Sequence, residues 1–323
     1  MIVTKTPLRI SFFGGGTDIE RFWSSENGCV LSCTINKFIY VLVKESYDGR
    51  IHIKSFEQET VDCIYQIKHD LVREALIKVG LKGGIEIVIL SDIPHTGSGL
   101  GSSSSLTVGL LKAFYEYMKI DVTADTLARQ ACEIEIDILG KPIGKQDQYI
   151  AVYGGLRVLT FKPDGMVDVM DVEPGYDVYG VLKSHFLLFY TGIGRKAECI
   201  LKEQTQAINH TRPLLKKMKD QVPAALEIIM DADMEKFGQL MYDGWIMKKQ
   251  LASNISNDWI NELVQKAFDA GASAAKITGA GGGGFLLVFC EPYRHKNVRL
   301  ALKSLKEYDF RFEREGTKVL FCS

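Results

Sequence analysis

The sequence predicts an α+β chain of two domains, and three observations lead there. At 323 residues the chain exceeds the roughly 250–300 at which one hydrophobic core stops growing. Its first half alternates strand-like runs with segments of helical period, the pattern of mixed α and β structure. Residues 161–177, FKPDGMVDVMDVEPGYD, are rich in Pro, Gly and Asp with little helical period, which places a boundary there. Domains are therefore expected over residues 1–170 and 171–323. The second half carries several helices before AAKITGAGGGGFLLVFC, a glycine loop entering a strand, and closes on strand-like runs.

In chain order, IYVLVKES (39–46) and IHIKSF (51–56) read as strands. LVREALIKVG (71–80) sets Leu71, Ala75 and Val79 on one face and stops at Gly80, as a short amphipathic helix does. GIEIVILSD (84–92) is a strand that runs into PHTGSGLGSSSSL (94–106), and SLTVGLLKAFYEYM (105–118) is apolar nearly all round, so it reads as a buried helix. The serine-glycine stretch is thus a strand–loop–helix junction. A second helix is expected over 124–139 and a long, charged helical stretch from near Arg195. No repeat or low-complexity tract interrupts the pattern.

Composition excludes several classes of function. With 46% hydrophobic and 24% charged residues and a net charge of −1, the chain has no electrostatic footprint for nucleic acid. Its seven cysteines are odd in number and scattered, with no CxxC pair and no histidine cluster to complete a zinc site, which fits a reducing cytoplasm. Lys5, Pro7 and Arg9 fall where a signal peptide needs an apolar core, and no run reaches the length of a membrane span, so neither export nor a membrane partner is expected.

A glycine-rich turn at a helix N-terminus exposes several unpaired N–H groups, and the helix dipole adds about half a positive charge. Together they attract phosphate without any basic side chain. The loop lacks the Gly-Lys-Ser/Thr ending of a Walker A sequence, and Gly97-Ser-Gly99-Leu-Gly101 is GxGxG where the dinucleotide fingerprint requires GxGxxG. A flexible linker is the bland alternative. A position between a strand and a buried helix argues against it.

PHTGSGLGSSSSL resembles the PxxxGLGSSAA phosphate loop of the GHMP kinases, with Ser104 and Ser105 where alanines are usual. PLRISFFGGGTD (7–18) resembles the first motif of that superfamily and KITGAGGGG (276–284) the third, in the same order along the chain. The resemblance implies an N-terminal domain like the second domain of ribosomal protein S5, a ferredoxin-like C-terminal domain, a site between them, and ATP and Mg²⁺ as cofactors. Gly97, Ser98, Gly99, Leu100, Gly101, Ser102, Ser103 and Ser104 would cradle the nucleotide phosphates. A loop serine would also hold Mg²⁺, with Ser103 the choice and Ser102 its rival.

The metal needs a hard anionic ligand as well. In ADTLARQACEIEIDILG (124–140) a projection at about 100° per residue gathers Leu127, Ala131, Ile134 and Ile138 in one stripe, with Glu135 inside its edge and Glu133 opposite. Glu135 is the candidate ligand; a carboxylate that reaches solvent or an Arg is the alternative. It lies twelve residues before Asp147 of GKQDQY, a spacing similar to that between metal glutamate and catalytic aspartate in galactokinases. Asp147 would accept the proton or orient the hydroxyl, and both readings stay open. Arg9 matches the basic residue beside the transferred phosphoryl and would stabilise its charge. Gly16, Thr17 and Asp18 would bind sugar hydroxyls, with Gly281 and Gly282 close to the substrate. Gly194, Arg195 and Lys196, in YTGIGRKAECILKEQ, would converge on a phosphate carried by the sugar, with Lys145 the next candidate for that role.

FFGGGTD, IPHTGSGLGSSSSL, IGKQDQYIAVYGG and FYTGIGRKAECILKEQ together look like the D-glycero-D-manno-heptose 7-phosphate kinases. That implies phosphorylation of the anomeric C1 hydroxyl to give the 1,7-bisphosphate, for nucleotide-activated heptoses of surface polysaccharide. A kinase for another sugar or sugar phosphate, and a catalytically inactive sensor on the same fold, are the competing readings. Oligomeric state is not legible; a homodimer is the expected assembly.

Overall fold

A computed structural model describes residues 1–94, 97–194 and 197–323 and shows two β-sheets with helices packed against them. The strands are β1 (Ile2–Phe13), β2 (Gly28–Glu45), β3 (Ile51–Lys54), β4 (Gln58–Val61), β5 (Ile85–Ser91), β6 (Leu156–Phe161), β7 (Val167–Asp171), β8 (Phe186–Tyr190), β9 (Ala274–Ile277), β10 (Phe285–Phe289), β11 (Lys306–Glu307) and β12 (Lys318–Cys322). The first sheet runs β12-β1-β2-β5-β3-β4, with β6 and β7 added beside the N-terminal half of β2. At its far end, β12 pairs with β1, so both ends of the chain build this sheet. The second sheet is β11-β8-β10-β9, antiparallel throughout. Strand β7 lies inside the Pro/Gly/Asp-rich stretch and still belongs to the first sheet, and the helix Val178–His185 carries the chain into the second.

The long hairpin β1–β2 sets the site. Its register shifts between Pro7 and Leu8 and again between Ser11 and Phe13, and the second irregularity leads the strand into the FFGGG turn. There Gly14 has φ +78°, and a Cβ would fall on the Cys29 carbonyl, so only glycine fits. Under this turn Phe12 stacks on Phe186 at 5.5 Å and Phe13 meets Phe237 edge-on at 5.2 Å. Aromatic pairs of this geometry hold the end of β1 to the second sheet through Phe186 and to the helix Met234–Lys248 through Phe237.

Helices form much as their patterns require. Asp70–Val79 buries Leu71, Ala75 and Val79 and ends on Gly80 in the left-handed conformation. The predicted buried helix is Ser102–Tyr117, whose Ser105 hydroxyl donates to Pro7 O at 2.8 Å. The helix expected over 124–139 is α-helical only across Ala124–Cys132; Glu133–Ile138 is a π-helical turn, closed by Leu139 N–H on Ile134 O at 3.0 Å. Downstream, Ala197–Gln206 and Ile208–Met230 form the charged helical stretch, followed by Met234–Lys248 and Asp258–Asp269, which Asp233 and Asn257 cap. Among the described residues no helix is long and apolar enough to cross a membrane.

Candidate active site

The loop between β5 and the helix Ser102–Tyr117 alternates glycines in the left-handed region, Gly97, Gly99 and Gly101, with Ser98 and Leu100, which are buried. Gly101 is the residue at which the helix starts. The glycines let a tight loop lead into the helix N-terminus, which adds its dipole. The KITGAGGGG loop packs against it. A Cβ on Gly99 would fall on the Thr278 carbonyl, and one on Gly279 would lie 2.6 Å from Gly99 Cα, so the two glycines let the loops touch. The cavity bounded by both loops has a volume of about 370 Å³ and is lined also by Ser102, Ser103, Lys141 and Asp147.

Arg9 projects from β1 and is buried. Its Nε and Nη2 each donate to one oxygen of Asp147 at 2.7 Å, and Nη1 donates to Gly99 O at 2.7 Å. Asp147 lies in the first turn of the helix Gln146–Tyr153. Arg9 and Asp147 line the cavity just described and also a second cavity of about 100 Å³, which shares Ile143, Leu201, Gly279 and Ala280 with the first. A reacting group in either cavity therefore meets the same guanidinium and carboxylate.

Beside the loop, Ser103 Oγ donates to Glu135 Oε1 at 2.7 Å and Gln148 Nε2 donates to Glu135 Oε2 at 2.7 Å. Glu135 is 0% exposed. The Nζ of Lys141 stands 3.7 Å from Glu135 Oε1 and 3.4 Å from Ser103 Oγ. A hydroxyl and a carboxylate converging on a point that already attracts an ammonium are hard oxygen donors suited to a divalent cation. Among the described residues no group of three or more His, Cys, Asp or Glu is placed to hold a metal ion. A cation held by Ser103 and Glu135 would complete its shell with phosphate oxygens and water. Glu133, two residues from Glu135, points outward and pairs with Lys78 at 2.5 Å.

The second cavity is lined by Gly15, Gly16, Asp18, Gln146, Lys248 and Lys276 together with the Arg9–Asp147 pair. Asp18 is 3% exposed; it accepts from Gly16 N–H at 2.9 Å and Gln146 Nε2 at 3.0 Å. Burial, then the charge of Asp147, raise its pKa above the ordinary carboxylate value. Lys276, on β9, reaches across to β1 and donates to Ser11 O at 2.9 Å and Phe12 O at 2.8 Å. Burial, helped by the nearby Arg9 charge, pushes its pKa down to about 7.

The geometry has the parts of a phosphoryl-transfer site, and comparison with known proteins agrees. The family model of the GHMP kinases N terminal domain matches residues 63–155, and that of the GHMP kinases C terminal domain matches residues 222–307. A D-glycero-alpha-D-manno-heptose 7-phosphate kinase of Campylobacter jejuni is 31% identical over 98% of this chain and 98% of its own. The chain is a GHMP kinase. It is accordingly an ATP-dependent phosphotransferase with an alcohol group as acceptor, built on that family's N- and C-terminal domains. A galactokinase of Pyrococcus furiosus is 26% identical over 96% of this chain and 94% of its own. The crystal structure of a D-glycero-D-manno-heptose 1-phosphate kinase from Bacteroides thetaiotaomicron superposes with a TM-score of 0.82 at 26% identity, covering 100% of both chains.

In this GHMP kinase Arg9, Asp147, Ser103 and Glu135 come together with Gly97, Ser98, Gly99, Gly101, Ser102 and Ser104 around one cavity, whereas Leu100 is fully buried in the core and does not line it. Gly16 and Asp18 line the second cavity; Thr17 does not. Thr17 is fully buried, its hydroxyl 2.8 Å from Gly14 O, 3.0 Å from Cys29 O, and accepting from Cys29 N–H at 3.0 Å, so it is committed to the turn. Gly281 and Gly282 pack on Ile255, whose carbonyl accepts from Gly282 N–H at 2.7 Å; from the same loop Gly279 and Ala280 line the cavities instead. Gly194 is exposed before the helix Ala197–Gln206, and Arg195 and Lys196 lie outside the described residues. Lys145 donates to Gly165 O at 3.1 Å, sits 4.2 Å above the Trp23 ring and lines a separate side cavity with Asp18 and Ile143. Sequence reasoning assigned no role to Gln146, Lys141, Lys248 or Lys276. Gln146 and Lys276 stand inside quoted motifs, where a polar side chain beside glycines was the available signal; Lys141 and Lys248 had none.

Proposed function

We propose that this kinase transfers the γ-phosphoryl group of ATP to the anomeric C1 hydroxyl of D-glycero-D-manno-heptose 7-phosphate, giving the 1,7-bisphosphate for nucleotide-activated heptose of surface polysaccharide. One observation carries the reading: Arg9 and Asp147 line both cavities, so donor phosphates in the larger and an acceptor hydroxyl in the smaller meet at one ion pair. The loop residues that line the larger cavity, Gly97 to Gly99 and Gly101 to Ser104, hold the nucleotide phosphates. Ser103 and Glu135 would hold Mg²⁺, which when bound supplies positive charge to the phosphate oxygens. Arg9 stabilises the charge that gathers on the transferred group. Asp147 orients the acceptor hydroxyl and accepts its proton. Asp18, held by Gln146 and the Gly16 amide, accepts from sugar hydroxyls. The acceptor cavity also sets Lys248 and Lys276 beside the Arg9–Asp147 pair and Asp18, and these amines can donate to the phosphate of a phosphorylated sugar.

The retention of Arg9, Ser103, Glu135 and Asp147 in one constellation favours a kinase over a sensor. The test is incubation with Mg·ATP and a panel of free sugars, hexose phosphates, heptose 7-phosphate and heptose 1-phosphate, with products read by ³¹P NMR. A new anomeric phosphate on heptose 7-phosphate alone is the expected result. Turnover of galactose or another free sugar in its place would assign a different acceptor, and ATP left intact by every compound would assign a sensor.

A further inference from the structure

Glu135 raises a question of charge that its hydrogen bonds do not answer. Both partners that touch its oxygens at 2.7 Å, the Ser103 hydroxyl and the Gln148 amide, are neutral. A fully buried carboxylate with neutral donors alone retains most of the penalty of leaving water. Arg9 is spent on Asp147 and Gly99. Among the described residues, Lys141 is the cation that lies within 4.0 Å of Glu135.

Its geometry is not that of a settled salt bridge. A charge-assisted N–H···O bond to a carboxylate runs at about 2.7–2.9 Å, whereas Lys141 Nζ stays 3.7 Å from Glu135 Oε1 and 3.4 Å from Ser103 Oγ. The ammonium is shared between two oxygens and fixed tightly to neither. Its backbone, by contrast, is anchored, since Lys141 N–H donates to the Glu135 carbonyl at 2.9 Å just beyond the π-helical turn. The residue is thus tethered beside the pair and lines the nucleotide cavity. A divalent cation on Ser103 and Glu135 would need the same lone pairs that face this ammonium, and two cations cannot share them.

Resting on the metal reading above, we propose that Lys141 is a built-in counter-cation of the Ser103–Glu135 pair, which competes with the divalent ion and is displaced when that ion binds. Lys141 is then a positioning residue. It keeps the buried carboxylate compensated and oriented, and it weakens the site for metal alone, so that firm metal binding depends on nucleotide phosphates arriving with the ion. The ammonium released from the oxygen pair remains in the cavity that receives those phosphates.

The experiment measures Mn²⁺ binding by electron paramagnetic resonance, with and without ADP, and thermal melting with and without Mn²⁺, on wild type, Lys141→Met, Lys141→Arg and Glu135→Gln. Lys141→Met should bind Mn²⁺ alone at least about 5-fold more tightly, the lower end of typical couplings between linked sites. Lys141→Arg, which keeps the charge, should stay near wild type. Without divalent ion Lys141→Met should melt below wild type and recover when Mn²⁺ is added, and combining it with Glu135→Gln should abolish that metal-dependent recovery. If Glu135→Gln binds Mn²⁺ as wild type does, the metal reading itself fails. If Glu135→Gln loses Mn²⁺ while Lys141→Met leaves the affinity unchanged, or weakens only ADP, the proposal fails alone and Lys141 is an ordinary surface or phosphate contact.

Discussion

The guanidinium of Arg9 grips both carboxylate oxygens of Asp147 at 2.7 Å, joining the start of the chain to a helix 138 residues later at the seam between two cavities. The fork is what makes this contact. Lysine offers a point charge, not two parallel donors. Arg9→Lys should therefore lower kcat by about 10- to 150-fold, equivalent to about 1.5–3 kcal/mol for a charged hydrogen bond. Steady-state kinetics with an unchanged nucleotide Kd checks it; full activity in the lysine variant would show that charge alone suffices.

Glu135→Gln should raise the Mg²⁺ concentration for half-maximal activity by at least about tenfold, since even indirect partners of metal ligands are worth about 10–100-fold. Glu133→Gln should behave as wild type, because it loses only a half-exposed pair with Lys78, a class worth about 0–1 kcal/mol. A Mg²⁺ titration of the two variants separates them.

The contrast between these glutamates also shows what the sequence could reveal. The apolar stripe from Leu127 to Ile138 placed Glu135 inside and Glu133 outside, and the two glutamates follow that order, although Ile138, at the end of the stripe and in the π-helical turn, is exposed. The π-helical turn at Glu133–Ile138 stayed hidden, because one extra residue per turn leaves no mark in a periodicity scored over a few residues. Motif loops were legible for a similar reason: an anion cradle is made of glycines and a helix start, both local. Thr17 and Gly281 misled as ligands because a motif records which residues a loop needs without saying which face the cavity. Lys276 needed the sheet itself, since its partners Ser11 and Phe12 lie 265 and 264 residues away.

Asp18→Asn should raise the KM for the sugar phosphate by about 10- to 150-fold, the worth of a charged hydrogen bond, with little change for ATP. As burial and Asp147 raise the Asp18 pKa, acceptor binding in the wild type should begin to fail on acidification at a higher pH than an ordinary carboxylate would allow. Acceptor Kd measured against pH tests this; a profile shared by wild type and Asp18→Asn would remove Asp18 from the acceptor side.

Lys276 supplies a pH dependence of opposite setting. With the folded pKa pushed down to about 7 from 10.5, the unfolded chain binds the proton more readily throughout that interval, so this group makes stability rise with pH from about 7 to 10.5. Below about 7 both states are protonated and the contribution is flat. Denaturant unfolding at a series of pH values should show a shallower rise in Lys276→Met than in wild type across that window. Parallel curves would mean that the ammonium is not desolvated in solution.

The most direct measurement concerns Asp147. In Asp147→Asn the Arg9 partner keeps a hydrogen-bond acceptor and the cavities keep their shape, but the proton acceptor is gone. Single-turnover phosphoryl transfer from Mg·ATP to heptose 7-phosphate, measured beside the nucleotide Kd, should show a rate at least about 10²-fold lower with nucleotide binding retained. A rate near that of wild type would contradict the placement of transfer at the Arg9–Asp147 seam.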